Sequence, residues 1–311
     1  MKKFWLVTVV TGIVCLLAGL LISAVLTFGF SEELVKHADE FSIRITDDDI
    51  YDFFEIDEYV SNARRGNHYR VSDTKESYYF EVPAEETITG IDFEIAVGEV
   101  QIITGDSMEV AVTDMFENAI SSYVENGVWY ITDSLLGSNT VHSEYSPEIV
   151  ITIPKDLNPE FVDFYLAAGL MDADNLVAKD IKLEVDAGSM EVYYLMAEDS
   201  LSVKNGVGEV KIYDAKVNNL TIDEGIGAIS VTGIITGHNV VNGGIGEVKL
   251  TLTDRKEIDF NYKVTCGIGD ARIGGKKFHG DSEITKFDRS NADYFELNCG
   301  IGQVAIVLAG N

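Results

Sequence analysis

Eight segments of the chain repeat one alternation of apolar and polar positions around a glycine, at Gly98, Gly169, Gly188, Gly208, Gly227, Gly246, Gly269 and Gly302. Five positions before that glycine stand Phe93, Phe164, Leu183, Val203, Ile222, Val241, Val264 and Leu297. One position before it stand Val97, Ala168, Ala187, Val207, Ile226, Ile245, Ile268 and Ile301. Two after it come Val100, Met171, Met190, Val210, Ile229, Val248, Ala271 and Val304, and four after it Ile102, Ala173, Val192, Ile212, Val231, Leu250, Ile273 and Ile306. All 32 are apolar in a chain that is 46% hydrophobic. The positions between are mostly polar (Glu99 and Gln101, Glu209 and Lys211, Glu247 and Lys249, Asp270 and Arg272). Alternation of this kind is the period of a strand with one buried face. The four registers predict a common interior, with the inward phase slipping by one residue at the glycine. Such a slip requires a corner or a bulge, and glycine tolerates the positive φ that such corners often require.

From Gly169 to Gly246 the steps are 19, 20, 19 and 19 residues, and they then lengthen to 23 and 33, as insertions at corners would do. A single coil of this length cannot stand alone. Ordering its backbone costs about 1–2 kcal/mol per residue, while burying each of its few apolar side chains returns about 1.5–3 kcal/mol. Coils must therefore stack, burying a continuous column. The expected fold is all-β: a β-solenoid of about 19-residue coils with Gly-x-Gly corners. It requires Val203, Ile222 and Val241 to lie over one another. A strand pattern, rather than a helix, follows every Gly-x-Gly, which excludes a phosphate-cradling nucleotide loop.

Ahead of the repeats, the run from Phe4 to Phe30 carries no charge over 27 residues, more than the roughly 20 a helix needs to cross a bilayer. Lys2 and Lys3 precede it and Glu32 and Glu33 follow it, predicting a single transmembrane helix with a cytoplasmic N-terminus and the bulk of the chain outside the cell membrane. The run is too long and its end too bulky for a cleaved signal peptide. Four regions follow: 1–30, cytoplasmic N-terminus and membrane helix; 31–84, a membrane-proximal stalk or cap with the acidic, aromatic stretch 47–55; 85–160, an irregular β portion with the first repeat; and 161–311, the regular solenoid.

Charge and chemistry narrow the function. A net charge of -29, with no basic patch, excludes nucleic acid as a partner. The five histidines (His37, His68, His142, His238, His279) share no metal-ligand spacing with one another or with the cysteines, so neither zinc nor any cofactor is expected. Outward acids at Glu99, Glu209, Glu247 and Asp270 share one offset but are interrupted by lysines and serine, which reads as a solvated face rather than a catalytic cluster. Gly267-Ile268-Gly269-Asp270 has the composition of a calcium nonapeptide without its period. Cys266 and Cys299 occupy the same register, three before the glycine, and are either two separate buried thiols or a disulfide, depending on whether the insertion 274–294 leaves their coils adjacent. The last strand, Val304 to Leu308, is expected to end the stack as an open edge able to capture a partner strand.

The strand end Ile151-Thr152-Ile153-Pro154-Lys155, the Gly-x-Gly-x-apolar-x-apolar coils and the final Leu297-Asn298-Cys299-Gly300-Ile301-Gly302 coil resemble the bacterial "putative adhesin" β-strand-repeat domain, a domain of unknown function in Gram-positive envelope proteins. The resemblance covers roughly residues 85–311. It implies a surface β-solenoid behind a membrane helix and carries no catalytic residues. The expected function is an envelope-exposed binding or sensing module that meets an envelope ligand or a membrane protein. The alternatives are a spacer or regulatory accessory without ligand, and an acidic carbohydrate-active enzyme. An outward aromatic ladder would favour glycan binding, and a cleft with close, buried carboxylates would favour the enzyme.

Overall fold

The computed structural model describes residues 75–116, 119–136, 146–279 and 283–310, all within one compact unit, Tyr51–Asn311. The run 4–30, Cys15, His37, His68, His142 and the stretch 47–55 lie outside the described residues. Among those described, no helix is long and apolar enough to cross a membrane. The described residues form fourteen strands of one sheet. They are β1 (Lys75–Glu81), β2 (Gly90–Gly105), β3 (Glu109–Phe116), β4 (Ile120–Glu125), β5 (Val128–Asp133), β6 (Glu148–Pro154) and β7 (Phe161–Asn218). They continue as β8 (Leu220–Thr236), β9 (His238–Leu252), β10 (Asn261–Cys266), β11 (Asp270–Ile273), β12 (Lys276–His279), β13 (Glu283–Lys286) and β14 (Tyr294–Leu308).

These strands wind as a parallel β-solenoid. Val203 pairs with Ile222, Ile222 with Val241, Val241 with Leu297 and Leu297 with Val264, so the same register of successive coils lies in one column. All residues five before, two after and four after the glycine are buried, in every coil from Phe93 to Ile306. Pairing runs straight through the glycines, Gly98 with Gly169, Gly208 with Gly227, Gly227 with Gly246 and Gly246 with Gly302. Every coil slips phase at the same place, so register is kept through the corner glycines, and the 58-residue β7 bends through three windings as one strand.

The glycines do two things here. Seven of them, all but Gly269, have φ between 135° and 154°, where L side chains strain. They also stack against one another: a Cβ on Gly188, Gly208 or Gly227 would lie 1.8–1.9 Å from the carbonyl oxygen of the glycine below. Close backbone approach between coils is thus a second reason for glycine, additional to the corner.

The order of coils in space departs from their order in the chain at both ends. β2 is sandwiched between β7 on one side and β5 and β6 on the other, so the coil that comes first in sequence lies one layer in. β14, the last coil, lies between β9 and the pair β10 and β11. The expected open edge at Val304 to Leu308 is therefore corrected: Gln303 to Ile306 are paired on both sides, and Val304, Ala305 and Ile306 are buried. The spacings of 23 and 33 residues reflect this skipped layer, because the chain passes over a vacant level and later returns to fill it. Antiparallel strands roof both outer layers, β4 on β5 and β3 on β6 at one end, β13 on β10 and β12 on β11 at the other.

Candidate functional site

One of the four apolar registers faces outward. Val207, Ile226, Ile245, Ile301 and Ile268, the middle residues of the Gly-x-Gly corners, are 38–67% exposed. Ala168 and Ala187 in the same register are half-buried, as is Val97, which packs against the core. Strict alternation from the buried residue five before the glycine predicts these side chains inward, and the structure corrects that. The phase slip spans both glycines of the corner, so the residue between them stands at its convex apex. Three before the glycine the alternation holds, and Ile95, Leu166, Val185, Asn205, Glu224, Cys299 and Cys266 are buried there.

These apex residues form a ladder, Val207 beside Ile226, Ile226 beside Ile245 and Ile245 beside Ile301. With coils about 4.8 Å apart, these four rungs span about 14 Å, and Ile268 is exposed in the same register of the outer coil. Columns of glycine flank it on either side, Gly206, Gly225, Gly244 and Gly300 on one and Gly208, Gly227, Gly246 and Gly302 on the other. A Cβ at Gly225 or Gly244 would lie 2.2–2.3 Å from the carbonyl oxygen of the neighbouring coil. The aliphatic side chains therefore stand clear of any side chain on the same corner. Beyond the glycines run polar rims. On one, Asn242 donates to Asp223 (2.7 Å), Asn298 donates to Asn242 (2.9 Å) and Lys204 pairs with Glu184. On the other, Gln303 donates to Glu247 (2.9 Å) and Lys277 and His279 pair with Asp270. An exposed apolar stripe between hydrogen-bonded rims has the anatomy of a recognition surface.

The remaining outward groups are mostly engaged between coils. Lys182 reaches Asp163 at 3.0 Å and Lys211 reaches Glu191 at 3.3 Å on the neighbouring coil, and Lys211 also reaches Glu209 at 2.7 Å within its own coil. Such exposed pairs contribute about 0–1 kcal/mol each. Tyr193 stacks on Tyr213 with ring centroids 5.4 Å apart, and Tyr213 donates to Glu191. The column holds Asp174 before this pair and Thr232 after it, so the aromatics make a two-rung step and not a ladder along the stack.

Two carboxylates are buried among the described residues, in separate layers. Asp133 accepts backbone hydrogen bonds from Leu135 (2.8 Å) and Ala96 (3.2 Å), and burial pushes its pKa up to about 7. Glu224 accepts from the amide of Gly244 at 2.6 Å, and burial raises its pKa. Each carboxylate satisfies corner amides. A shallow hollow bordered by Ile153, Leu157, Asn175 and Val177 carries no ionisable side chain. Among the described residues no three His, Cys, Asp or Glu side chains stand close enough to hold a metal.

The family model described as Toastrack DUF4097 matches residues 88–288. A "putative cell adhesion protein" from Clostridium sporogenes is 16% identical, covering 76% of this chain and 100% of its own, with a TM-score of 0.38. A "putative adhesin" from Bacteroides fragilis is 15% identical, covering 76% of this chain and 98% of its own, with a TM-score of 0.42. A "putative adhesin" from Parabacteroides distasonis is 16% identical over 75% of this chain and 97% of its own, with a TM-score of 0.31. No curated protein matches.

Proposed function

Because the chain belongs to the Toastrack DUF4097 family, we propose that it is a non-catalytic binding module of the cell envelope whose contact surface is the apex ladder. The observation that carries this reading is the exposure of Val207, Ile226, Ile245, Ile301 and Ile268 at one register. A folded chain with a complete core does not need five aliphatic side chains in water, and contiguous exposed apolar stripes mark interaction sites. The uncharged run 4–30 supports a membrane anchor that would hold the module outside the cell. Its acidity supports a ligand that is apolar in the middle and neutral or cationic at the rims.

The test is co-sedimentation of the full chain with envelope membranes and with purified wall polymers, comparing the parent with a variant carrying Ile226→Ser, Ile245→Ser and Ile301→Ser. Each surface change should alter stability by about 0.5 kcal/mol or less. Losing three buried isoleucine contacts, at about 1.5–3 kcal/mol each, should weaken binding more than tenfold. Equal binding by parent and variant would remove the ladder from the interface. A parent that binds neither fraction would leave the spacer role in its place.

A further inference from the structure

The two thiols meet at the layer that the chain fills last. Cys266 of β10 is the direct pairing partner of Cys299 of β14 in a parallel ladder. The Cys266 thiol donates to the Cys299 sulfur with the two Sγ atoms 3.3 Å apart, and both residues are buried. Paired Cα atoms on adjacent strands are about 4.8 Å apart, within the 4.4–6.8 Å span of disulfides, and the sulfurs need approach by only about 1.2 Å to bond. The next rung of this inward column is Gly243, which has no side chain to crowd the movement. Elsewhere the column holds Ile95, Leu166, Val185, Asn205 and Glu224, so cysteine occurs only on these two coils.

We propose that Cys266 and Cys299 form a disulfide that staples the outer coil of β10 and β11 to the inserted coil of β14. The bond would close a loop over β11, β12 and β13 and lock the outer coil at the β14 end of the stack. With a low-molecular-weight disulfide as oxidant, one cysteine thiolate attacks it, forming a mixed disulfide and expelling one thiolate. The second cysteine thiolate then attacks the protein-side sulfur, forming the Cys266–Cys299 bond and expelling the other. Two protein thiols are oxidised, the oxidant's disulfide is reduced to two thiols, and these take up the two protons. Burial and the contact with Cys266 push the Cys299 thiol up to about 12, so the closed layer reacts slowly. Oxidation belongs to folding or to opening of the outer coil.

The test uses the reduced full chain, treated with oxidised glutathione both as the folded protein and during refolding from denaturant. Tryptic peptides 264–272 and 290–311 should appear joined, two hydrogens lighter than their sum. The unfolding temperature should rise by about 5–10 °C over the reduced chain, as a loop of this length predicts. Cys299→Ala should abolish both the link and the rise. Stable glutathione adducts on Cys266 or Cys299, pairing of either with Cys15, or unlinked peptides after refolding would each overturn the proposal. So would a linked protein that melts no higher than the reduced one. None of these outcomes depends on whether the apex ladder binds anything.

Discussion

The two ends of the stack solve one problem with the same topology and different chemistry. At both, the terminal coil is tucked one layer in, beneath a coil from farther inside the chain, and antiparallel strands cover the outermost layer. A parallel coil left at an end would present a long row of unpaired amides and carbonyls. The outer strands β12 and β13 are four residues each, and lysines stand in both. At the β2 end the inserted coil is fixed by packing: Phe93 meets Trp129 and Phe164 edge-on at 5.4 and 5.9 Å. At the β14 end it is fixed by a polar clasp. Arg255, 8% exposed, bonds Asp254 at 2.9 Å and Asp293 at 3.1 Å, and Asp293 also accepts from the Gly237 amide at 2.7 Å. The interior windings need neither device. They rely on a repeated glycine and a repeated apolar column, so each coil is secured by its two neighbours.

The contrast between middle and ends is broken most sharply at glycine. Gly227→Ala would place a Cβ 1.9 Å from the Gly208 carbonyl oxygen at φ 135°. Neither backbone can yield without shifting two coils, so a loss of at least about 4 kcal/mol is expected, visible as insoluble expression or a collapsed chemical-denaturation midpoint. Gly267→Ala, on the outer coil, meets nothing closer than 3.5 Å and needs no unusual φ. It should cost less than about 1 kcal/mol. Similar costs at both positions would mean that close coil contact does not set the requirement for glycine.

The two ends should fail separately. Trp129→Ala removes the largest fully buried side chain and should cost about 4 kcal/mol. Hydrogen exchange should quicken in β2, β4, β5 and β6 and leave β14 unchanged. Arg255→Met removes the guanidinium that lies 5.9 Å from the Phe260 ring centroid and strands the acids around it, partly exposed as they are, and should cost about 3 kcal/mol. Its added exchange should fall on β10, β11 and β14. Exchange that spreads through the whole stack in either variant would mean that the ends do not open as separate units.

The middle of the molecule was legible because its physics is periodic. Three registers of buried side chains and the stacking of Val203, Ile222 and Val241 follow from alternation alone. The apex ladder was hidden because apolar composition does not tell inside from outside at a corner. A clue lay three before the glycine, where apolar residues give way to Asn205, Glu224, Cys266 and Cys299: these residues occupy the interior that the apex residues seemed to claim. The ends were illegible for a different reason. Which coil lies outermost depends on pairings between segments such as β2 and β6, or β9 and β14, and no local pattern encodes the order in which layers fill. The irregular spacing after Gly246 signalled a departure without saying that a level had been skipped. Arg255 carried no motif at all, since its partners come from the crossing itself.

The most gradual expected effect is one of pH, and it tests whether the β2 end is tuned apart from the rest. Asp133 terminates β5 and accepts from Ala96, the first residue of the neighbouring corner. Burial holds its carboxyl near 7 in the folded protein, while in the unfolded chain it titrates at about 3.9. Between these values the folded protein keeps a proton that the unfolded chain has released. Stability from this group is therefore complete below about pH 4, declines by up to about 1.4 kcal/mol per pH unit, and levels off above about 7. Asp133→Asn cannot release a proton, so its denaturation midpoint, measured from pH 4 to 8, should fall less steeply than that of the parent. The remaining slope in the variant belongs to other groups, Glu224 among them. Parallel profiles for parent and variant would mean that Asp133 is already ionised at pH 4 and that its amide partners, rather than its burial, govern its charge.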